Sequence, residues 1–184
     1  MSPSKIEHKL PLEVLEGLAL DQKPRIVMSE GNDPRVIAGA IAACNSGICQ
    51  IILLGSQLGI KNECKNLGLN LPIDISIINP EKSELLPEFE KEYLNIRKKK
   101  GGSIKEAQTK IKEPLIFAAL MVRLGYSTGT VGGAVETTSN VVRAAIQIIG
   151  KSDDAKLISS CFLMYPKGTF PMVFSDCGLV INPN

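Results

Sequence analysis

The sequence predicts an α/β protein, a three-layer α/β/α sandwich with a mostly parallel sheet. Over the first 150 residues, short runs rich in isoleucine and valine alternate with longer runs of helical period, as in successive βαβ units. Strands joined in this way pair in parallel through right-handed crossovers. With 184 residues, of which 44% are hydrophobic and 22% charged, the chain is long enough to bury a substantial core.

Helices are predicted where apolar residues recur at helical spacing next to capping residues and prolines. The predicted ranges are 12–19, 34–45, 58–66, about 89–100, a helix opened by the Ser103 and Glu106 capping-box pair, 115–124, and 139–150. In the fourth of these helices, Phe89, Tyr93 and Arg97 share one face at a spacing of four residues. Arg97 is therefore expected in line with a buried aromatic stripe.

Strands are predicted at 25–29, 48–54 and 75–78, and in the glycine-rich run that begins at residue 129. Two further strands, 157–165 and 170–174, flank a hairpin signal at 166–169, and a last strand is predicted at 179–181. The polar connector 151–154 predicts a domain boundary. Residues 1–150 then form the first α/β domain, and residues 151–184 start a second, truncated domain without helices to cover its strands.

Composition excludes several classes of function. A formal net charge of +2, 4% aromatic residues and no tryptophan argue against nucleic-acid binding. The sequence contains no apolar run long enough for a membrane span and no signal-peptide pattern, so a cytoplasmic location is expected. The five cysteines are expected to be reduced and buried. Because His8 is the only histidine, a His/Cys metal site and Ser-His-Asp catalysis are not expected.

Residues 129–143 carry the strongest functional signal. A glycine-rich strand passes through Thr137, Thr138 and Ser139 into a helix, and N–H groups at such a joint favour anions. On that helix, Val142, Ala145, Ile146 and Ile149 are predicted to face the core, whereas Asn140, Arg143 and Gln147 align on the opposite side. The alternative is that the hydroxyl residues only cap the helix and Arg143 is solvated. Similarly, the basic run 97–100 suits the negative end of a helix dipole.

Several segments, in this order, resemble the phosphate acetyltransferase (phosphotransacetylase) family, whose relatives include phosphate butyryltransferases. They are SEGNDPR at 29–35, YLNIRKKKG at 93–101, GTVGGA at 129–134 followed by Thr137 and Thr138, RAAIQII at 143–149, SSCFLM at 159–164, and FSDC at 174–177. The resemblance runs through nearly the whole chain, and the order and spacing of the segments make it specific.

The resemblance implies reversible acetyl transfer between acetyl-CoA and inorganic phosphate, giving acetyl phosphate and CoA. It implies a cleft between two α/β domains of isocitrate/isopropylmalate dehydrogenase-like fold, a homo-oligomer when complete, and neither a metal nor a cofactor other than coenzyme A as substrate. The family's arginines in the matching segments carry over to Arg97 and Arg143 as residues that bind coenzyme A or phosphate. Thr137, Thr138 and Ser139 are secondary candidates for substrate binding.

The chain departs from the family pattern in three places. Thr128 stands where the family often has aspartate, and Ala144 stands where it often has proline. The serine, arginine and aspartate associated with catalysis are expected beyond Asn184, so the catalytic residues are unknown and the chain alone is expected to lack turnover. The alternatives are a phosphate butyryltransferase and a non-catalytic remnant or assembly module.

Overall fold

The computed structural model describes residues 11–98, 101–166 and 170–179. The described residues divide into two compact units, one within Glu16–Gly150 and a second made of residues 11–15, 151–166 and 170–179. The predicted division into a first domain, 1–150, and the start of a second, 151–184, stays a prediction. Within the described ranges, no helix is both long and apolar enough to span a membrane.

A four-stranded parallel sheet forms the centre of the unit Glu16–Gly150. Its strands are β1 (Arg25–Met28), β2 (Gln50–Leu54), β3 (Ile75–Ile78) and β4 (Gly129–Val131), in the order β3-β2-β1-β4. Ile26 pairs with Ile51 on one side and with Gly129 on the other. The strand order therefore reverses between β1 and β4, and in open α/β sheets such a reversal opens a crevice at the carboxyl ends of the strands.

The helices follow the predicted alternation, and most begin at a side-chain cap. They are α1 (Pro11–Gln22), α2 (Pro34–Asn45), α3 (Gln57–Asn66), α4 (Leu86–Arg97), α5 (Ile104–Lys110), α6 (Pro114–Arg123) and α7 (Thr138–Ala144), with a 3₁₀ turn at Pro80–Lys82. The side chains of Asp33, Ser56, Ser103 and Thr137 each accept a hydrogen bond from an N–H group in the first turn of the helix that follows. These bonds satisfy donors that have no partner within the helix.

Two apolar cores cover the two faces of the sheet. On one face, Ile51, Leu53 and Ile75 pack against α2 and α3. On the other face, Ile52 and Leu54 pack against α4, α5, α6 and α7. Because successive residues of a strand point to opposite faces, β2 contributes to both cores and is buried from Ile51 to Leu54. The predicted α/β fold with a mostly parallel sheet is confirmed.

The prediction of the buried face of the last helix was wrong at one position. Ile146 was expected in the core but is 45% exposed, whereas Ala144 and Ile148 are buried. After Ala144 the helix continues as a π-helical turn, Ala145–Ile149, closed by a hydrogen bond from Gly150 N–H to the Ala145 carbonyl. A π turn contains more residues than an α turn, so it alters the spacing on which the prediction relied.

The second unit contains an antiparallel hairpin, which confirms the predicted pairing. Strands β5 (Cys161–Met164) and β6 (Met172–Ser175) pair with Cys161 opposite Ser175, and every residue of both strands is exposed. The five cysteines are free, but only Cys64 is buried. The prediction of buried cysteines was therefore wrong for Cys161 and Cys177, because this hairpin lacks covering layers among the described residues. Apart from Leu179, which is not in a strand, the predicted strand 179–181 lies outside the described residues.

Candidate functional site

A cleft of about 390 Å³ brings the two predicted substrate arginines into one lining. Arg97 reaches it from the C-terminal end of α4, and Arg143 reaches it from α7. The remaining walls come from α5, from the first turn of α6 and from the residue preceding Thr137. The lining residues are Tyr93, Arg97, Glu106, Lys110, Glu113, Pro114, Leu115, Ile116, Glu136, Asn140, Arg143, Ala144 and Gln147.

Arg97 lies at the C-terminal end of α4, on the same face as the aromatic residues Phe89 and Tyr93. Phe89 is 0% exposed and Tyr93 is 5% exposed, which confirms the predicted stripe. Arg97 Nη2 lies 3.5 Å from Glu106 Oε1, a long contact for an ion pair. Arg97 Nε is buried and has no hydrogen-bond partner among the described residues. The contacts of the described residues therefore satisfy the Arg97 guanidinium only in part.

Arg143 is exposed, as its position opposite the core predicted. Its Nη1 donates to Asn140 Oδ1 at 3.3 Å, and no ion pair to Arg143 is found in the part of the chain that the structure describes. Asn140, Arg143 and Gln147 all line the cleft, which confirms that they share one side of the helix. A neutral amide satisfies only part of a guanidinium, so Arg143 can still bind an anion through its other N–H groups.

The charges of the lining are balanced. Lys110 Nζ lies 2.8 Å from Glu113 Oε1, and this hydrogen bond raises the pKa of the Lys110 amine. Glu106 and Glu136 contribute further carboxylates. An anionic ligand would therefore bind by replacing weak internal contacts of the arginines and not by entering a strongly positive field.

A second cleft, of about 450 Å³, lies at the carboxyl ends of β1 and β2. Its lining includes Ser29 and Asn32 and shares Pro114, Leu115 and Glu136 with the first cleft. The two clefts are therefore neighbours. Ligands of parallel α/β sheets commonly bind at this edge, so together the clefts offer an elongated binding surface.

The loop after β4 is organised around the carboxylate of Glu30. Glu30 Oε2 accepts hydrogen bonds from the N–H groups of Gly133 and Ala134, both at 2.8 Å. Glu30 Oε1 accepts from Val135 at 2.8 Å and from Glu136 at 2.6 Å. Burial raises the pKa of Glu30, but these backbone hydrogen bonds outweigh it, so the pKa lies below its ordinary value of 4.5.

This arrangement gives one part of the glycine-rich joint a structural role, because the N–H groups of residues 133–136 bind an internal anion. Anion binding by the N–H groups at the start of α7 stays a prediction. Sequence reasoning missed Glu30, which follows β1. The sequence offered one indication of this contact, namely that residues 29–35 and residues 132–136 each follow a predicted strand. The two segments come into contact because β4 pairs with β1, and these strands are far apart in the sequence.

Arg35 fixes the same loop through a carbonyl. Its Nη2 donates to the Ala134 carbonyl at 2.6 Å and to Asp33 Oδ2 at 2.8 Å. Asp33 also caps α2, and the Arg35 guanidinium lowers the pKa of Asp33 to about 2. The residues after β1 are thus joined to the loop after β4 in two ways: Glu30 accepts hydrogen bonds from its N–H groups, and Arg35 donates one to a carbonyl.

The hydroxyl residues predicted as secondary ligands lie outside the lining of the first cleft. Thr137 Oγ1 accepts from Asn140 N–H at 3.2 Å and caps α7. Thr138 and Ser139 are exposed residues of the first turn. The capping alternative therefore describes Thr137, and substrate binding by Thr137, Thr138 and Ser139 stays a prediction.

The chain is similar to known proteins along most of its length. Residues 12–184 match the model of the family described as phosphate acetyl/butaryl transferase. The phosphate acetyltransferase of Helicobacter pylori is 38% identical over 92% of this chain and 32% of its own length. That of Paracoccus denitrificans is 36% identical over 95% of this chain and 52% of its own length.

A solved structure extends the likeness to the backbone. The crystal structure of a phosphotransacetylase from Streptococcus pyogenes superposes with a TM-score of 0.85 at 29% identity, over 94% of this chain and 52% of that one. The chain thus spans between about a third and about half of the length of these relatives. The match along residues 12–184 shows that the chain belongs to the phosphate acetyl/butaryl transferase family.

Proposed function

We propose that this chain is part of a phosphate acetyltransferase, an acyltransferase that interconverts acetyl-CoA and phosphate with acetyl phosphate and CoA. The observation that carries the proposal is the presence of Arg97 and Arg143 in one cleft, where each guanidinium makes only a long polar contact, Arg97 with Glu106 and Arg143 with Asn140. Coenzyme A carries several phosphate charges, and planar guanidinium forks match phosphate oxygens in geometry and charge.

In the proposed reaction, the thiolate of CoA attacks the carbonyl carbon of acetyl phosphate. A carbon–sulfur bond forms, the carbon–oxygen bond to the phosphate breaks, and inorganic phosphate leaves with the electron pair. Arg97 and Arg143 bind and neutralise phosphate groups of the substrates, which stabilises negative charge during transfer. The proposal assigns no general base to the described residues and involves no metal, no resident cofactor and no acyl-cysteine intermediate.

Further parts of the proposal rest on the family resemblance. They are the isocitrate/isopropylmalate dehydrogenase-like arrangement of the layers, a second α/β domain that begins at residue 151, homo-oligomeric assembly and a cytoplasmic location. Thr137, Thr138 and Ser139 remain proposed substrate contacts of lower rank than the two arginines.

Isothermal titration calorimetry of the 184-residue chain with coenzyme A tests the binding step. Arg97→Gln and Arg143→Gln should each weaken binding by roughly 1–3 kcal/mol, about 5- to 150-fold, because each removes a charge-assisted hydrogen bond. Lys61→Gln is the matched control, since Lys61 is exposed on α3 outside both clefts and its replacement also removes one positive charge. Failure of the wild-type chain to bind, or equal affinity of all variants, would refute the proposal.

The choice between acetyl and butyryl substrates is tested on an active assembly that contains this chain. Acetyl phosphate and butyryl phosphate are compared as substrates with coenzyme A by the rate of thioester formation. We expect a higher kcat/KM for acetyl phosphate, in keeping with the named relatives. The expected preference is modest, because two additional methylenes are discriminated weakly unless the pocket excludes them sterically. A higher kcat/KM for butyryl phosphate would support the butyryltransferase alternative.

A further inference from the structure

Glu30 is the only described residue whose side chain joins the loop after β1 to every N–H group of the segment 133–136. Each carboxylate oxygen accepts two of these hydrogen bonds, at distances between 2.6 and 2.8 Å. Hydrogen bonds to a charged acceptor are about twice as strong as neutral ones. The carboxylate therefore determines the backbone path of the loop.

A chain of hydrogen bonds continues from this loop to the cleft. Glu136, whose N–H binds Glu30, accepts through its side-chain Oε2 from Asn140 Nδ2 at 2.9 Å. Asn140 Oδ1 then accepts from Arg143 Nη1 at 3.3 Å. In parallel, Thr137 follows the loop directly and caps α7 through Asn140 N–H. Both routes connect the position of the loop to the position of Arg143.

The loop has little other internal support. Within the segment 133–136, the backbone hydrogen bonds are those to Glu30 and the one that the Ala134 carbonyl accepts from Arg35. Gly133 has φ of +106°, a conformation that other residues seldom adopt, and a hairpin or helix does not hold the segment. All four N–H groups point toward the Glu30 carboxylate. Without that anion, their positive ends would repel one another and would have no acceptor within the loop.

We infer that Glu30 is a positioning residue, whose carboxylate holds the segment 133–136 and the start of α7 so that Arg143 lies in the same cleft as Arg97. The inference rests on the proposed function, since coenzyme A is the ligand whose binding it affects. Glu30 itself need not touch coenzyme A. Its effect on affinity passes through Arg143.

A double-mutant cycle separates this role from simple stabilisation. The variants Glu30→Gln, Arg143→Gln and the combination are titrated with coenzyme A by calorimetry. Gln keeps the length of the side chain but turns one acceptor into a donor that faces two N–H groups. Glu30→Gln should weaken coenzyme A binding roughly tenfold in the wild-type background and less than about threefold in the Arg143→Gln background, because neighbouring residues of one network couple.

Two further results complete the test, and a second variant replaces Glu30→Gln if that variant does not fold. Glu84→Gln, which removes an exposed glutamate charge outside both clefts, should leave affinity unchanged. Hydrogen exchange at the amides of residues 133–136 should be faster in Glu30→Gln, because their acceptor is lost. If Glu30→Gln does not fold by circular dichroism, Glu30→Asp replaces it in the cycle, since Asp keeps the charge but is one methylene too short to meet all four amides at these distances.

The inference and the function fail in different ways. Equal weakening by Glu30→Gln in both Arg143 backgrounds, with wild-type binding intact, would overturn the inference alone. Unchanged affinity in Glu30→Gln would do the same. A wild-type chain that does not bind coenzyme A would overturn the proposed function and the inference with it.

Discussion

In the unit Glu16–Gly150, the sheet presents apolar side chains to a helical layer on each face, whereas the β5–β6 hairpin of the second unit exposes every residue of both strands. Phe117 of α6 is 0% exposed, but Phe174 of β6 is 52% exposed. Residues of the same type therefore differ in burial between the two units. Burial stabilises the first unit, and the same side chains in the hairpin leave apolar surface in contact with water.

Replacement of one phenylalanine in each unit should give the largest difference. Phe117→Ala should lower the free energy of unfolding by about 3–5 kcal/mol, because it opens a cavity beside Phe89, whose ring centroid lies 4.8 Å away. Phe174→Ala should cost less than about 1 kcal/mol, since water already contacts that side chain. Urea unfolding followed by circular dichroism measures both. Equal losses would mean that the hairpin is buried in solution.

Two glycines of the first unit, one packed against the end of β2 and one open to solvent, test how tightly that unit is packed. At Gly31, an added Cβ would lie 2.6 Å from the Leu54 carbonyl oxygen, which is backbone and cannot rotate away. Gly31→Ala should therefore destabilise the chain by about 1–3 kcal/mol. Gly39 of α2 has nothing within 4 Å of an added Cβ, so Gly39→Ala should stabilise the chain by about 0.5–1 kcal/mol. Thermal melts of the two variants should shift in opposite directions.

Local signals in the sequence predicted much of the first unit. Asp33 and Pro34 marked the start of α2 correctly, and β3 was predicted at residues 75–78 as observed. Both depend on residues close in the chain, namely a cap, a proline and a short isoleucine run. Arg97 and Arg143 line one cleft, in agreement with the helix faces on which they were predicted. Their role in binding substrate is a proposal.

Non-local contacts were not predicted. Nothing near Gly129 in the sequence indicates that β4 lies beside β1, so the contact of Glu30 with the loop after β4 was missed. The exposure of Cys161 and Cys177 was missed for a related reason, because an apolar strand pattern does not reveal whether a covering layer is present. Only the folded arrangement determines which acceptor meets which donor.

The smallest predicted effect concerns Asp33 of the first unit, whose pKa is lowered, as is that of Asp176 in the second unit. The side-chain hydrogen bond from Arg35 lowers the pKa of Asp33 to about 2, and backbone N–H bonds, that of Gly178 foremost, lower the pKa of Asp176. A carboxyl group whose pKa is lower in the folded chain stabilises that chain at pH values above its ordinary pKa, which is 3.8 for Asp33. This contribution is lost as the pH falls from 3.8 towards 2.

Asp33→Asn tests this dependence, because asparagine still caps α2 but does not pair with the charge of Arg35. At neutral pH the variant should be slightly less stable than the wild type, since the Arg35 partner is exposed and water screens the pair. The difference should shrink as the pH falls through the window from 3.8 to 2, because the wild-type carboxylate is then protonated as well. Asp74→Asn, at an exposed aspartate, is the control for a general change in net charge. If urea unfolding gives a difference that stays constant or grows over that window, the ion pair with Arg35 is not what lowers the pKa of Asp33.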